Sequence, residues 1–499
     1  MSQRAPVATS SLARFTAPSW SLLLTVAVCA PVVDRLAAQD EAKPAASIPA
    51  ELKEVVAAYA AKVAASAVFV SGRTIESVLA EEMAPDAPLQ AMVRPFLEYE
   101  VDRDQRTVTA KVLGTEVTAA YVEGLGCTLV RGDLTALRAR ALPPIARAMD
   151  PRPWPLGDGL ANLPLPAGID GKALDQAIAD AFVDRDGRVK AHTRAIVIAH
   201  RGRLIAERYA PSYDAYSVLP GWSMSKSLVN ALIGLRIGDG KLALDRELPV
   251  PEWSAPDDPR RQLRLMDLLR MESGLDWSED YEAAGSLALR MLFLESDYAA
   301  LAASQPLVRA PREEHRYSSG TTNLLCRILR TTFDDERSYL AYARDRLFLP
   351  LGMTSALLEP DPSGVFVGSS FGFATARDWA RFGQFYLQDG VVDGKRLLPE
   401  GWVAMARTPS VVSPRGDYGA HLWLNAGSEK EPDKRPFNRL PRDLFYLSGY
   451  EGQYVVCFPS QDLVVVRLGC TKRGGFDLHG FLQHVLQACS PDSLDGARK

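Results

Sequence analysis

A serine and a lysine three positions apart are the residues of this sequence best suited to chemistry. Ser223 and Lys226 lie in the stretch Gly221–Ser227, directly before an apolar run that predicts a helix. Residues three apart on a helix share one face, so a neutral lysine amine can accept the serine proton. The helix N-terminus stabilises negative charge developing beside it. The pair taken alone also fits a helix cap and a solvated lysine, so the surrounding sequence has to decide.

The elements that must position this pair have strands at both ends and helices between them. Strands are predicted at 194–200, 204–209, 445–447, 452–458 and 463–468. Helices are predicted at 172–183, 228–237, 263–271, 286–302, 320–331, 335–346, 376–388 and 477–489. This order predicts an α/β fold in which distant segments close one antiparallel sheet, helices flank it and a helical subdomain is inserted.

The beginning of the sequence has the pattern of an export signal. Arg4 and Arg14 precede the apolar stretch Trp20–Val33, and Leu36-Ala37-Ala38 offers a cleavage site, so residues 1–38 are predicted to be a signal peptide. The apolar stretch is shorter than the about 20 residues that span a bilayer. A periplasmic or secreted protein without a stable membrane span is expected, and the alternatives are an uncleaved anchor or a disordered leader. Lipidation of Cys29 is not expected, because valine precedes it.

Four segments are predicted in the rest of the chain. A flexible lead-in is predicted at 39–50, and a small N-terminal α+β unit at 51–141. That unit combines a helical pattern over 52–65 with a hairpin pattern over 101–122, and it carries no clustered nucleophile, acid or metal-ligand set. Residues 142–171 are rich in proline and glycine and predict a linker or a wrapping segment. The catalytic domain is predicted at 172–490, and the purpose of the N-terminal unit stays open.

Composition and cysteine spacing exclude several classes of partner. The chain has 499 residues, a formal net charge of -4 and no basic stripe, which argues against nucleic acid. Its six cysteines lie far apart, at 29, 127, 326, 457, 470 and 489, without a C-x-x-C pair or a metal-like spacing. Buried single thiols are expected, although one bridge stays possible. No metal or other cofactor is predicted.

Further motifs follow the serine–lysine pair in a familiar order. They are Leu268–Leu275, Tyr317–Gly320, Leu349–Met353, Ala376–Gly383, Tyr418-Gly419 with Trp423, and Ser448–Gln453. Together with Gly221–Ser227, they resemble the landmarks of the serine β-lactamase-like superfamily, which holds class C β-lactamases, DD-peptidases, esterases and 6-aminohexanoate-dimer hydrolases. The resemblance covers about residues 190 to 485 and is greatest for the 6-aminohexanoate-dimer hydrolase branch.

This resemblance implies an exported hydrolase that forms an acyl-enzyme on Ser223, with Lys226 as base and Tyr317 as proton shuttle. The tetrahedral intermediate needs two fixed N–H donors, for which the backbone groups of Ser223 and Tyr450 are the candidates. Ser448, Gly449 and Ser319 are further candidate substrate-binding residues.

The resemblance also limits the substrate. Ser448-Gly449-Tyr450 replaces the Lys-Thr-Gly that helps lactamases hold a carboxylate, so efficient penicillin hydrolysis is not expected. The implied substrate is a small-molecule amide or ester. The acyl and leaving groups and the oligomeric state stay open.

Three other functions compete with this interpretation. An α/β-hydrolase needs a strand before its serine and a downstream acid and histidine, but Tyr213–Pro220 is not strand-like and no histidine has a triad context. Metal hydrolysis lacks the H-E-x-x-H pattern. A penicillin-recognising or scaffold protein with little turnover is the main alternative, although Ser223, Lys226 and Tyr317 are all present.

Overall fold

The computed structural model describes residues 48–84, 91, 93–145, 150–159, 164–184, 190–281, 283, 285–472 and 474–489. The predicted signal peptide, Cys29 and residues 39–47 of the predicted lead-in lie outside the described residues. Within the described ranges, no helix has both the length and the apolar character that a membrane crossing requires.

The N-terminal unit is a helix lying across a four-stranded antiparallel sheet. Its helices are α1 (Ala50–Phe69), α2 (Ile75–Ala80) and α3 (Leu134–Arg138), and its strands are β1 (Leu97–Asp102), β2 (Thr107–Val112), β3 (Thr115–Val122) and β4 (Gly126–Leu129). The strands pair in the order β1-β2-β3-β4. Alanines favour the helix and leave α1 slim enough to lie close on β2 and β3. The predicted helix and hairpin are both confirmed, and the helix is longer than predicted.

A six-stranded antiparallel sheet forms the centre of the rest of the chain. The strands of this part of the chain, which also include those of two smaller sheets, are β5 (Thr193–His200), β6 (Arg203–Tyr209), β7 (Leu219–Pro220), β8 (Leu357–Leu358), β9 (Gly372–Ala374), β10 (Val391–Val392), β11 (Lys395–Arg396), β12 (Trp423–Leu424), β13 (Phe445–Gly449), β14 (Gln453–Phe458) and β15 (Leu463–Gly469). The central order is β12-β13-β14-β15-β5-β6. Val466 of β15 pairs with Val197 of β5, so segments far apart in sequence close the sheet, as predicted.

Helices cover both faces of this sheet. The helices of this part of the chain, including those that do not contact the sheet, are α4 (Gly171–Asp180), α5 (Ser225–Gly238), α6 (Leu265–Leu269), α7 (Leu287–Phe293), α8 (Tyr298–Ser304), α9 (Ser319–Arg330), α10 (Glu336–Ala343), α11 (Ala376–Leu387), α12 (Trp402–Ala406) and α13 (Leu478–Cys489). Ile196 and Ile198 join the hydrophobic core under α4 and α13, whereas Val197 and Ala199 join the core on the opposite side. Because β5 is buried on both faces, its central residues, Ala195–Ala199, form a continuous apolar run. The predicted fold class is confirmed.

Two sequence predictions change in detail. The single helix predicted over 286–302 is wrong, because the chain forms α7 and α8 as separate helices. Asp297 accepts a hydrogen bond from the backbone of Ala300 at 2.9 Å and so begins a new helix there. The described part of 142–171 fits a wrapping segment, because Arg381 donates to the carbonyls of Pro155 and Gly157.

The cysteines behave as buried single thiols. All five cysteines within the described residues are buried and unpaired, and no disulfide joins any two of them. Burial raises the pKa of the Cys326 thiol to about 12, which keeps it protonated and unreactive at neutral pH.

Candidate active site

Ser223 lies on a short 3-10 turn, Trp222–Met224, that runs directly into α5 at Ser225. The shared helix face expected for the pair is therefore modified in detail, because Ser223 precedes α5 and Lys226 lies within it. Trp222 has a φ of +48°, a strained left-handed conformation of the kind that accumulates at functional sites. The hydroxyl of Ser225 holds the turn, since it donates to the Trp222 carbonyl at 2.6 Å and accepts from the Gly372 N–H at 2.8 Å.

The amine of Lys226 is buried against the nucleophile. Its Nζ lies 3.1 Å from Ser223 Oγ, 3.0 Å from Ser319 Oγ and 2.9 Å from the Ser369 carbonyl oxygen. Burial lowers the pKa of Lys226 to about 8, against the opposing influence of the Glu279 charge. A neutral amine keeps two N–H groups for Ser319 and Ser369 and presents its lone pair to Ser223. This geometry suits a base that receives the serine proton.

The ring of Tyr317 closes the other side of the pair. Lys226 Nζ lies 4.7 Å from the centre of the Tyr317 ring, and the Ser223 side chain is close enough to Tyr317 to oppose the rise of its pKa. The ring stacks on Trp423 at 5.5 Å between centroids. Burial, followed by the negative charge of Glu279, raises the pKa of Tyr317, so its hydroxyl carries a proton at neutral pH. The structure thus brings Ser223, Lys226 and Tyr317 together.

Glu279 is a site residue that sequence reasoning missed. Its Oε2 accepts from the Ser319 N–H at 2.8 Å and from Trp277 Nε1 at 2.6 Å. Its Oε1 accepts from the Ser319 hydroxyl at 2.5 Å and from the Tyr281 hydroxyl at 2.8 Å. Ser319 therefore links Lys226 to Glu279. The one signal in the sequence is the alternation of Trp277, Glu279 and Tyr281, which places three polar-tipped side chains on one side of an extended segment.

The third motif lies against the nucleophile turn. A Cβ built on Gly449 would come within 2.1 Å of the Gly221 carbonyl oxygen, so only glycine allows this close approach. Ser448 is half-buried and pairs with Tyr454 of the neighbouring strand. The Tyr450 ring meets the edge of Trp222 at 5.6 Å. The motif is therefore beside Ser223, and the paired oxyanion donors on Ser223 and Tyr450 stay a prediction.

His421 is buried behind the site and supports the backbone. Its Nδ1 lies 2.9 Å from the Lys226 carbonyl oxygen and its Nε2 lies 3.2 Å from the Thr322 hydroxyl. A carbonyl only accepts, so Nδ1 carries the proton and Nε2 accepts from Thr322. Burial, followed by the Lys226 charge, lowers the pKa of His421 to about 3, which keeps the ring neutral. Because both ring nitrogens are engaged, this arrangement does not favour the α/β-hydrolase alternative.

An apolar cavity of about 80 Å³ opens at Ser223. Its lining is formed by valine, leucine, methionine, aromatic and serine side chains: Val55, Val56, Tyr59, Met83, Val93, Trp222, Ser223, Tyr281, Leu289, Leu292, Phe293, Ser370 and Tyr450. None of these lining residues carries a formal charge at neutral pH. The cavity therefore suits an uncharged, apolar group next to the reacting atom.

Comparison with known proteins assigns the chain to a family. The model of the family described as Beta-lactamase matches residues 178–479. The 6-aminohexanoate-dimer hydrolase of Paenarthrobacter ureafaciens is 26% identical over 257 residues, which are 46% of this chain and 60% of that relative. The chain thus spans less than two thirds of the length of this relative.

Solved structures are similar to this chain, and the first of the two described here shares its fold. The crystal structure of the "putative beta-lactamase from Bacteroides dorei DSM 17855" matches with a TM-score of 0.51 and 17% identity, covering 64% of this chain and 99% of that one. The "putative 6-aminohexanoate-dimer hydrolase from Bacillus anthracis" matches with a TM-score of 0.49 and 20% identity, covering 65% and 82% of the two chains. Since residues 178–479 are more than half of the sequence, the chain belongs to the Beta-lactamase family.

Proposed function

We propose that this protein is a serine hydrolase that cleaves an amide or ester bond through an acyl-enzyme on Ser223. The observation that carries the proposal is the buried contact of 3.1 Å between Lys226 Nζ and Ser223 Oγ, together with the lowered pKa of that amine. The lysine is half neutral near pH 8 and holds its lone pair toward the serine hydroxyl. The name of the 6-aminohexanoate-dimer hydrolase relative supports an amide or ester substrate.

In the acylation step, Ser223 Oγ attacks the carbonyl carbon and its proton passes to Lys226 Nζ. The carbonyl oxygen becomes negative, and the backbone N–H groups of Ser223 and Tyr450 are proposed to stabilise it. Tyr317 gives its proton to the departing nitrogen or oxygen, since its raised pKa keeps that proton available. The carbon–heteroatom bond then breaks, the acyl group stays on Ser223, and the Lys226 proton restores the phenol.

In the deacylation step, a water molecule takes the place of the leaving group. Its proton is relayed through the Tyr317 hydroxyl to the neutral amine of Lys226, and its oxygen attacks the acyl carbon. The second tetrahedral intermediate uses the same oxyanion donors. Its collapse returns the electron pair to Ser223 Oγ, which regains a proton from Lys226, and the acid product leaves.

The test is p-nitrophenol release from p-nitrophenyl butyrate by the mature protein, with Ser223→Ala and Lys226→Met beside it. Release that falls at least about 10³-fold in both variants supports the mechanism. Equal release by wild type and Ser223→Ala contradicts it. Incubation with a β-lactam, followed by intact mass measurement, addresses the penicillin-recognising alternative: a stable adduct without ester turnover favours that alternative.

We further propose that the protein is exported and cleaved after about residue 38, on the basis of the charges and apolar run of residues 1–38. The proposed boundaries are a small N-terminal unit at 51–141, a wrapping segment at 142–171 and a catalytic domain at 172–490. Mass spectrometry of the mature N-terminus in the periplasmic and secreted fractions tests the export. A protein retained in the cytoplasm with residue 1 intact contradicts it.

A further inference from the structure

The N-terminal helix α1 contributes directly to the cavity at the nucleophile. Val55, Val56 and Tyr59 form one side of the cavity, and Trp222, Ser223 and Tyr450 lie on another. Val55 and Val56 are 6% and 4% exposed, and α1 packs against α7 of the catalytic domain as well as against its own sheet. Part of the substrate-facing surface therefore comes from a unit outside residues 178–479, the part of the chain that matches the family.

Buried ion pairs hold α1, and with it the side of the cavity formed by Val55, Val56 and Tyr59, in place. Lys62 of α1 pairs with Glu359 of the catalytic region, and the two side chains are 3% and 0% exposed. Glu359 also accepts from the backbone N–H of Cys127, in β4, at 2.6 Å. On the other side, Arg194 of β5 donates to Glu82 of the N-terminal unit at 2.6 Å. These contacts fix α1 relative to Ser223, so the cavity has a defined shape.

The proposed mechanism places the cavity on the acyl side of the scissile bond. In the proposed mechanism the leaving atom receives its proton from Tyr317, so the leaving group lies toward that residue. Tyr317 is not among the residues that line the cavity, whereas Ser223 is. The substituent that occupies the cavity is therefore attached to the carbonyl carbon and stays on Ser223 in the acyl-enzyme.

We propose that α1 forms a wall of an acyl-binding pocket that selects short, uncharged, apolar acyl groups. This inference rests on the proposed function. A cavity of about 80 Å³ admits a chain of only a few carbons, and its apolar lining offers no partner for a carboxylate. The N-terminal unit thereby determines substrate specificity instead of serving only as an attached module.

The experiment measures kcat/KM for p-nitrophenyl esters from acetate to octanoate with wild type, Val56→Phe and Val56→Ala. For wild type, kcat/KM is expected to rise about fourfold for each added methylene until the acyl chain fills the pocket. Longer acyl chains should then give a lower kcat/KM. Val56→Phe should lower the rate at that optimum at least about tenfold and move the optimum to a shorter chain. Val56→Ala should move the optimum to a longer acyl chain. Opposite movements cannot come from general destabilisation.

Two matched comparisons complete the test. Val411→Phe makes the same substitution at a side chain that is 92% exposed, and its chain-length profile should equal that of wild type. A p-nitrophenyl hemisuccinate should react at least about tenfold more slowly than the butyrate, because its carboxylate enters an apolar pocket.

The outcomes separate the two proposals. The acyl-pocket proposal is contradicted if turnover depends on Ser223 but both Val56 variants keep the wild-type chain-length profile. It is also contradicted if turnover depends on Ser223 and the hemisuccinate reacts as fast as the butyrate. In both cases the serine hydrolase proposal is retained. Absence of Ser223-dependent turnover across all chain lengths overturns both.

Discussion

Ser319 and Glu279 are joined by two hydrogen bonds, one from the backbone N–H of the serine and one from its hydroxyl. The same hydroxyl lies 3.0 Å from Lys226 Nζ, so the carboxylate is one side chain removed from the proposed base. Glu279 therefore has two effects: it orients Ser319, and its negative charge opposes the loss of the Lys226 proton. The first effect should be measurable in kcat and the second in the pH profile of kcat/KM.

The first prediction concerns the pH dependence of the wild-type protein. In the proposed mechanism the active form of Lys226 is the neutral one, whose fraction rises with pH, so kcat/KM should rise with an apparent pKa of about 8. Below that value the rate should fall about tenfold per pH unit. Tyr317 stays protonated over this range because its pKa is raised. A profile measured with p-nitrophenyl butyrate that is flat from about pH 6 to 9 would contradict the lysine base.

Replacing Glu279 by glutamine should move this profile to lower pH. The carboxylate favours the charged form of Lys226, so its removal lowers the pKa of the amine further. We expect kcat to fall by about tenfold or more, because Ser319 loses a charge-assisted acceptor. The matched control is Glu400→Gln, at an exposed position, whose profile should overlay that of wild type. A shift of the Glu279→Gln profile to higher pH would show that the charge acts in the opposite sense.

Tyr317→Phe should discriminate between leaving groups. The variant keeps the ring that stacks on Trp423 but loses the hydroxyl that donates a proton. Amide cleavage needs that proton and should fall about 10²-fold to 10⁴-fold, whereas p-nitrophenolate departs as an anion and should be less affected. The measurement is acylation rate for paired p-nitroanilide and p-nitrophenyl substrates with one acyl group. Equal losses on both substrates would assign Tyr317 a structural role.

The ion pair between Lys62 and Glu359 should contribute to the free energy of unfolding. Lys62→Met leaves a buried carboxylate without its cation and should lower the free energy of unfolding by about 3–5 kcal/mol. The double variant Lys62→Met/Glu359→Met should recover part of this loss, because neither charge then remains buried. Urea denaturation followed by circular dichroism measures both variants.

An exposed ion pair provides the control for that series. Arg106 and Glu123 are 52% and 36% exposed, and Arg106→Met should cost no more than about 1 kcal/mol. A Lys62→Met variant as stable as Arg106→Met would mean that α1 is held mainly by its apolar contacts.

Gly449→Ala should reduce activity without unfolding the protein. The added methyl would lie 2.1 Å from the Gly221 carbonyl oxygen, so β13 has to move away from the nucleophile turn. Loss of one oxyanion donor costs about 10²-fold to 10³-fold in kcat. The control is Gly238→Ala, where the added methyl meets Pro399 at an ordinary 3.5 Å. Wild-type kcat in Gly449→Ala would exclude this strand from the oxyanion site.

The parts of the site that could be predicted from sequence are those encoded in local motifs. Ser223 and Lys226 lie one helical turn apart, and Tyr317 belongs to a short motif in the expected order, so each was identifiable from its neighbours. The strands of the central sheet were identifiable in the same way, because a short apolar run that ends at a turn signal, such as β5, is typical of a buried strand.

The parts that escaped prediction depend on contacts between distant segments. Glu279 gains its role from Ser319, 40 positions away, and Lys62 gains its partner Glu359, 297 positions away. No spacing rule links such residues. The break between α7 and α8 was missed for another reason: the capping hydrogen bond of Asp297 outweighs a helical pattern that is apolar on both sides of it.

The pairing of β5 with β15 has a consequence during synthesis. Residues 193–200 leave the ribosome long before their partner, residues 463–469. Throughout that interval one edge of an apolar strand has unpaired backbone groups, which can pair with another chain. C-terminally truncated products should therefore aggregate instead of retaining partial activity, and the nascent chain depends on rapid completion or on a chaperone that covers this edge.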